Sequence, residues 1–221
     1  MRMVRTAAAL AGLTLLPSLL HAQSNGSSNG MKDSWFWGIH GGAMLFNAGF
    51  DEDVMVTAPT VGGEWLITRT NIALRVSVQQ AFFEEQSAVF DPTVAGAARP
   101  VDVKDWRRYA AEMYFMPSGD RGLVPYAGFG VALNVLQSAT PAGSFTSPES
   151  LDSVFTLVDE FSSRASLVFT LGTQARIGRS GVFIQANAMP TKNQWLLNRS
   201  NFTIGLEAGV RYNIGSAIER F

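Results

Sequence analysis

The stretch FTIGLEAGVRYNI (residues 202–214) decides how the rest of the chain is read. Phe202, Ile204, Leu206, Ala208, Val210, Tyr212 and Ile214 are apolar, and Thr203, Gly205, Glu207, Gly209, Arg211 and Asn213 between them are small or polar. Successive side chains of a strand point to opposite faces, so this period of two gives one apolar face and one polar face. A helix would repeat every three to four residues, and no such repeat is present.

The same alternation recurs upstream. Residues 72–83 set Ile72, Leu74, Val76, Val78 and Phe82 against Ala73, Arg75, Ser77, Gln79 and Ala81. Residues 124–136, 164–177 and 182–190 alternate in the same way, and residues 35–46, 60–69 and 106–116 do so more weakly. With the opening stretch, eight strands are expected. The connections alternate in length. Residues 70–71, 117–123 (PSGDRGL) and 178–181 (GRSG) are short and rich in turn formers, whereas 47–59, 84–103, 137–163 and 191–200 are long and more polar. Short turns on one rim and long loops on the other mark an up-and-down transmembrane barrel, and strands of about ten residues span a bilayer when tilted.

The N-terminus reads as an export signal. Arg2 and Arg5 precede an apolar run over residues 6–20, and His21-Ala22 then leads into polar Gln23. A basic start, a short apolar segment and a small residue at the break make a secretory signal peptide over residues 1–22. The run is too short for a membrane anchor and Pro17 interrupts it. Residues 23–33 (QSNGSSNGMKD) read as a flexible leader, and residues 34–221 as the fold. Without the signal the chain carries 15 basic and 18 acidic residues, which gives no electrostatic footprint for nucleic acid. There is no Cys, so disulfides, thiol catalysis and thiolate metal sites are excluded.

Alternation alone does not say which face is outside. Soluble lipocalin-like barrels turn the apolar face inward. Three features favour apolar-out. The polar face carries Glu64, Arg75, Glu112, Arg176, Glu207 and Arg211, three acids and three bases able to neutralise one another in a lumen. Aromatics sit near strand ends (Trp35, Trp37, Trp65, Trp106, Tyr109, Phe115, Phe202 and Tyr212), as interfacial girdles require. Only closure removes sheet edges in lipid. The expected fold is therefore all-β: an eight-stranded antiparallel up-and-down transmembrane β-barrel.

The segments PYAGFGVALNV (125–135) and GLEAGVRYNIG (205–215) resemble strands of the small outer-membrane barrels of the OmpA/OmpX type. The resemblance implies a bacterial outer-membrane location among lipid and lipopolysaccharide. It also implies a C-terminal signal read by the barrel-assembly machinery, carried by Gly209, Tyr212, Ile214 and the terminal Phe221. Residues 216–220 separate the expected strand end from Phe221, a departure from the usual pattern. No peptidoglycan-binding domain follows, so tethering of that kind is not implied.

Chemistry on this scaffold has three candidates. The inward charges, with Arg108, are expected to form an ion-paired plug, because eight strands leave an interior that side chains can just fill; a narrow gated pore is the functional alternative. His40 is the only His after the signal, and a hydrolase reading pairs it with Ser77 and Glu64, as in a lipid-modifying enzyme. Nothing sets their spacing, so no catalytic residue is assigned. Asp51, Glu52 and Asp53 form an acidic cluster without ligand-spaced order, and neither metal nor cofactor is expected. Gly41-Gly42 and Gly62-Gly63 relieve crowding rather than cradle phosphate, since no helix follows. The long loops are the expected surface for a ligand or partner. Among them residues 151–161 (LDSVFTLVDEF) are unusually apolar, fit to extend a strand, form a short helix or cap the barrel.

Overall fold

A computed structural model describes residues 33–48, 54–117, 122–145, 147–190, 195–197 and 202–216. The signal segment 1–22, most of the leader, the Asp51-Glu52-Asp53 cluster and Phe221 lie outside the described residues. Eight strands are present: β1 (Ser34–Ala48), β2 (Val54–Thr68), β3 (Ile72–Phe90), β4 (Ala98–Phe115), β5 (Leu123–Pro141), β6 (Ser163–Ile177), β7 (Ser180–Pro190) and β8 (Phe202–Ser216). Each pairs antiparallel with its sequence neighbours, and β1 pairs with β8 from Ser34↔Ser216 to Leu45↔Ile204, which closes the barrel. A helix, α1 (Pro148–Phe161), lies between β5 and β6.

The short turns follow from local sequence. β6 and β7 are joined by Gly178 and Arg179 alone, and Gly178 has φ 62°. A two-residue hairpin loop needs such a positive φ to match the twist of its strands, and glycine supplies it without strain.

Apolar side chains face outward around the wall. Val76, Met113, Val131, Leu171, Ile184 and Val210 are all exposed, whereas Arg75, Glu112, Gln174, Glu207 and Arg211 are buried inside. This is the inverse of a soluble barrel and matches a lipid solvent. Among the described residues no helix is long and apolar enough to cross a membrane; the strands do so.

β3, β4 and β5 run further than alternation predicts. Parts of the expected loops 84–103 and 137–163 are strand, with β3 reaching Phe90, β4 beginning at Ala98 and β5 reaching Pro141. β2 likewise begins at Val54, inside the expected loop 47–59. The pattern fades there because polarity inverts. In the extension Glu84, Gln86, Asp102, Lys104 and Ser138 are exposed while Val89, Val101 and Val103 are buried. The phase changes at Asp105, which has φ 51° and lies within a register shift between β3 and β4. Below that bulge the wall faces lipid; above it the wall faces water.

α1 is one of the three forms expected for residues 151–161. Ser147 caps it by accepting from the Ser150 backbone N–H at 3.2 Å, Pro148 opens it, and Glu149 sits in its first turn. Val154 and Val158 are buried and join the apolar cluster inside the extension. One expected girdle residue is misplaced: Trp106 is 1% exposed and points inward, in phase with Arg108 below the bulge.

Candidate functional site

The interior is layered along the barrel axis. At the short-turn end Phe36, Leu66, Ala73, Tyr114, Met116 and Tyr126 form a small apolar cluster. At the long-loop end a larger apolar cluster includes Met44, Phe46, Trp106, Val158, Met189 and Trp195. Between them lies a band of charged and amide side chains.

Period two brings these side chains inward, and register sets their depth. Arg75 pairs with Glu112 across β3 and β4, Glu64 with Ser77 across β2 and β3, and Gln185 with Glu207 across β7 and β8. Arg75 is a hub with three carboxylates around one guanidinium. Its Nε donates to Glu64 Oε2 at 2.7 Å, Nη1 to Glu112 Oε1 at 2.6 Å and Nη2 to Glu207 Oε2 at 3.2 Å. Arg211 Nε donates to the other oxygen of Glu64, and its Nη1 to Gln174 Oε1 at 2.7 Å. The Arg211 guanidinium lies 3.8 Å from the Phe183 ring centroid, a cation–π contact inside the barrel.

Glu207 is the complementary hub. Oε1 accepts from Arg108 at 2.5 Å, Asn187 at 2.7 Å and Gln79 at 2.9 Å, while Oε2 accepts from Gln185 at 2.7 Å as well as from Arg75. Glu112 Oε2 accepts from Thr170 at 2.5 Å. Gln185 Oε1 accepts from the stacked Tyr126 and Tyr114 hydroxyls at 2.8 and 3.3 Å. Three carboxylates therefore face three guanidiniums, each with further hydrogen bonds. Such pairing offsets the several kcal/mol needed to desolvate each buried ion.

Of the six charges singled out from sequence, Glu64, Arg75, Glu112, Glu207 and Arg211 meet in this band, together with Arg108. Arg176 does not meet them. It has the right parity but lies one residue from the end of β6, exposed, with Nε donating to Gly178 O at 2.9 Å. Phase alone cannot report depth, and at the rim an inward phase opens onto solvent. The amides Gln79, Gln174, Gln185 and Asn187 and the two tyrosines were missed as site residues. Their signal was present, since each shares the inward phase of its strand.

His40 is buried, with Nδ1 3.6 Å from Glu207 Oε2 and Nε2 3.5 Å from Arg75 Nη2. It fits where Gly62 and Gly209 leave room: a Cβ on Gly62 would sit 2.6 Å from the His40 ring, and one on Gly209 2.8 Å from its Cβ. Both ring nitrogens face this network, and no hydrogen bond joins His40 to Ser77 among the described residues. Of the residues read as an assembly signal, Tyr212 and Ile214 face outward on β8 and Gly209 lies against His40 and Phe183.

No family model matches the sequence, and no curated protein matches it. Solved structures match the backbone. Neisserial surface protein A is 10% identical, with 81% of this chain and 97% of that chain covered and a TM-score of 0.53. The outer membrane protein OprG from Pseudomonas aeruginosa is 12% identical, with 84% and 98% covered and a TM-score of 0.47. The N-terminal β-barrel domain of OprF from the same organism is 10% identical, with 82% and 98% covered and a TM-score of 0.42. At such identity the likeness is one of fold. The closed antiparallel wall, its lipid-facing apolar belt and its buried ionic band make this chain an eight-stranded barrel of the bacterial outer-membrane type.

Proposed function

We propose that the protein is a closed outer-membrane barrel with a structural or surface-interaction role, not a solute pore. The observation that carries this reading is the Arg75–Glu207 hub. It spans the lumen from β3 to β8, and apolar side chains fill the interior on both sides of it. An ion or solute would have to break several charge-assisted hydrogen bonds at once. The part presented to the surroundings is the water-facing extension of β3, β4 and β5 with α1. Its outer faces carry Glu84, Asp102, Lys104, Asp152 and Asp159 and suit contact with a partner. Tyr212 and Ile214, outward on β8, are the side chains offered to the assembly machinery, and outer-membrane lipid with lipopolysaccharide is the resident environment.

Planar-bilayer recording of the purified protein tests this. The expected result is no steady unitary conductance in the wild type. A steady, large conductance would replace this reading with that of a small-solute channel. A lipid-modifying activity lost in His40→Ala, with the fold retained, would replace it with an enzymatic one.

A further inference from the structure

One layer of the lumen is not built by the wall. Residues 195–197, from the connection between β7 and β8, fold inward and are buried, with Leu197 only 1% exposed. The Trp195 ring sits edge-on to Trp106 at 4.6 Å, and Met44, Ala58, Met189 and Val168 belong to the same apolar cluster. Among the described residues, Leu196 N–H donates to Phe161 O at 3.2 Å, and Ser87 Oγ donates to Leu196 O. Trp195 Nε1 is buried with no acceptor among the described residues.

The floor beneath this segment carries unmet polar atoms. Arg108 Nε, Gln79 Oε1 and Thr203 Oγ1 are buried without a hydrogen-bond partner among the described residues, although each of these residues is at least nine-tenths buried. Gln79 and Arg108 are cross-strand neighbours, and Arg108 reaches Met189, which is paired with Thr203. Through these pairings a donor, an acceptor and a hydroxyl border the apolar cluster that holds Met189 and Trp195. Buried polar groups ordinarily find partners, so a clustered set without them is where a hydrogen-bonding ligand gains most.

We propose that the long-loop half of the lumen is a ligand vestibule, with residues 195–197 as its internal occupant. It takes a small molecule with an aromatic or branched-aliphatic body and one neutral hydroxyl or amide head. The body replaces Trp195 and Leu197 against Trp106 and Met189. The head meets Arg108 Nε, Gln79 Oε1 and Thr203 Oγ1. A charged head is disfavoured because the three acids and three guanidiniums below already balance. Ligand and segment compete for one volume, so weakening the segment tightens binding. This goes beyond the closed-barrel reading and fails separately from it: conductance reads the ionic band, and ligand binding reads the chamber above it.

The test uses the full-length protein in nanodiscs and a trifluoromethyl-substituted benzyl alcohol, followed by fluorine NMR. Empty nanodiscs report partitioning into lipid. The wild type is expected to show a saturable bound signal, one per barrel, which tightens by about tenfold in the double variant Trp195→Gly, Leu197→Gly. Ala58→Phe, which fills the chamber from the wall, is expected to abolish the signal, and Ala132→Phe gives a second such variant if the first fails to fold. Lack of saturable binding in both the wild type and the double variant overturns the proposal. Binding in the double variant alone also overturns it, since that marks an engineered cavity. So does a bound signal unchanged in a folded, filled variant.

Discussion

Arg75 on β3 donates to Glu207 on β8 at 3.2 Å, although the two residues are 132 positions apart in sequence and two strands lie between them in the wall. Each is the hub of its charge type. Arg75 engages three carboxylates with three different nitrogens, and Glu207 takes donors from β3, β4 and β7.

Removing Arg75 therefore does more than break one pair. Arg75→Met leaves Glu64, Glu112 and Glu207 short of a cation in a dry interior. A loss of about 3–5 kcal/mol is expected from breaking buried ion pairing, read as a lower midpoint in urea unfolding from lipid vesicles. Arg75→Lys is expected to restore little of it, because an ammonium cannot reproduce a planar fork aimed at three separate acceptors. Recovery to wild-type stability in Arg75→Lys would show that charge alone matters.

Small residues make room for the large ones of the band. A Cβ on Gly62 would lie 2.5 Å from the Val78 carbonyl oxygen and 2.6 Å from the His40 ring. Backbone cannot yield as a flexible side chain can. Gly62→Ala is expected to destabilise by about 1–3 kcal/mol through overpacking. The double variant Gly62→Ala, His40→Ala is expected to regain only part of that loss, since the carbonyl contact stays. Unfolding midpoints of the two variants check this.

The lipid boundary gives a position-dependent prediction. Val131 is 57% exposed near the middle of the apolar belt, whereas Ser138 is exposed beyond the bulge, where outward residues are polar. Val131→Arg is expected to cost about 2–4 kcal/mol in vesicle-based unfolding, as for charges near the bilayer midplane, and Ser138→Arg close to nothing. Equal costs at the two positions would place the boundary elsewhere.

Beyond the membrane, the tip of the β3–β4 hairpin has its own pH dependence. Hydrogen bonds from the Thr93 side chain, from Arg99 at 2.5 Å and from the Thr93 backbone hold the Asp91 carboxyl down to about 2. A carboxyl lowered on folding contributes stability that is present above its unfolded value of about 3.9 and is lost as pH falls through the folded one. The hairpin tip is thus expected to keep its protection from amide exchange down to about pH 4 and to lose it progressively toward pH 2. In Asp91→Asn that acid-dependent step should vanish. A step that persists in the variant would assign it to another group.

The legibility of this chain varied along the strands. From Phe202 to Ile214, and from Ile72 to Val78, phase and polarity were readable because lipid outside and an ionic interior impose opposite chemistry on alternate residues. Beyond Asp105 the outside is water and the inside is apolar. The same period continued with its meaning reversed, so the extensions of β3, β4 and β5 looked like loops. Trp106 was assigned to a girdle for the same reason: an aromatic near a strand end satisfies either an interface or a capped interior. Arg176 shows the converse, a correct phase at a depth where no interior exists.

Sequence by itself determined the strand period, the turn positions, the charge balance of the inward face and the apolar-out polarity of the barrel. These follow from local rules: residue alternation, glycine at a tight turn, and the cost of placing charge in lipid. Tertiary structure decided which charges share a depth, and so that Arg75 and Glu207 become hubs. It also decided that His40 belongs to their network, and that residues 195–197 fill the long-loop end of the lumen. Those outcomes depend on register around a closed wall and on where a long connection folds back. Neither is encoded in the spacing of neighbouring residues, because closure brings together side chains that no local period relates.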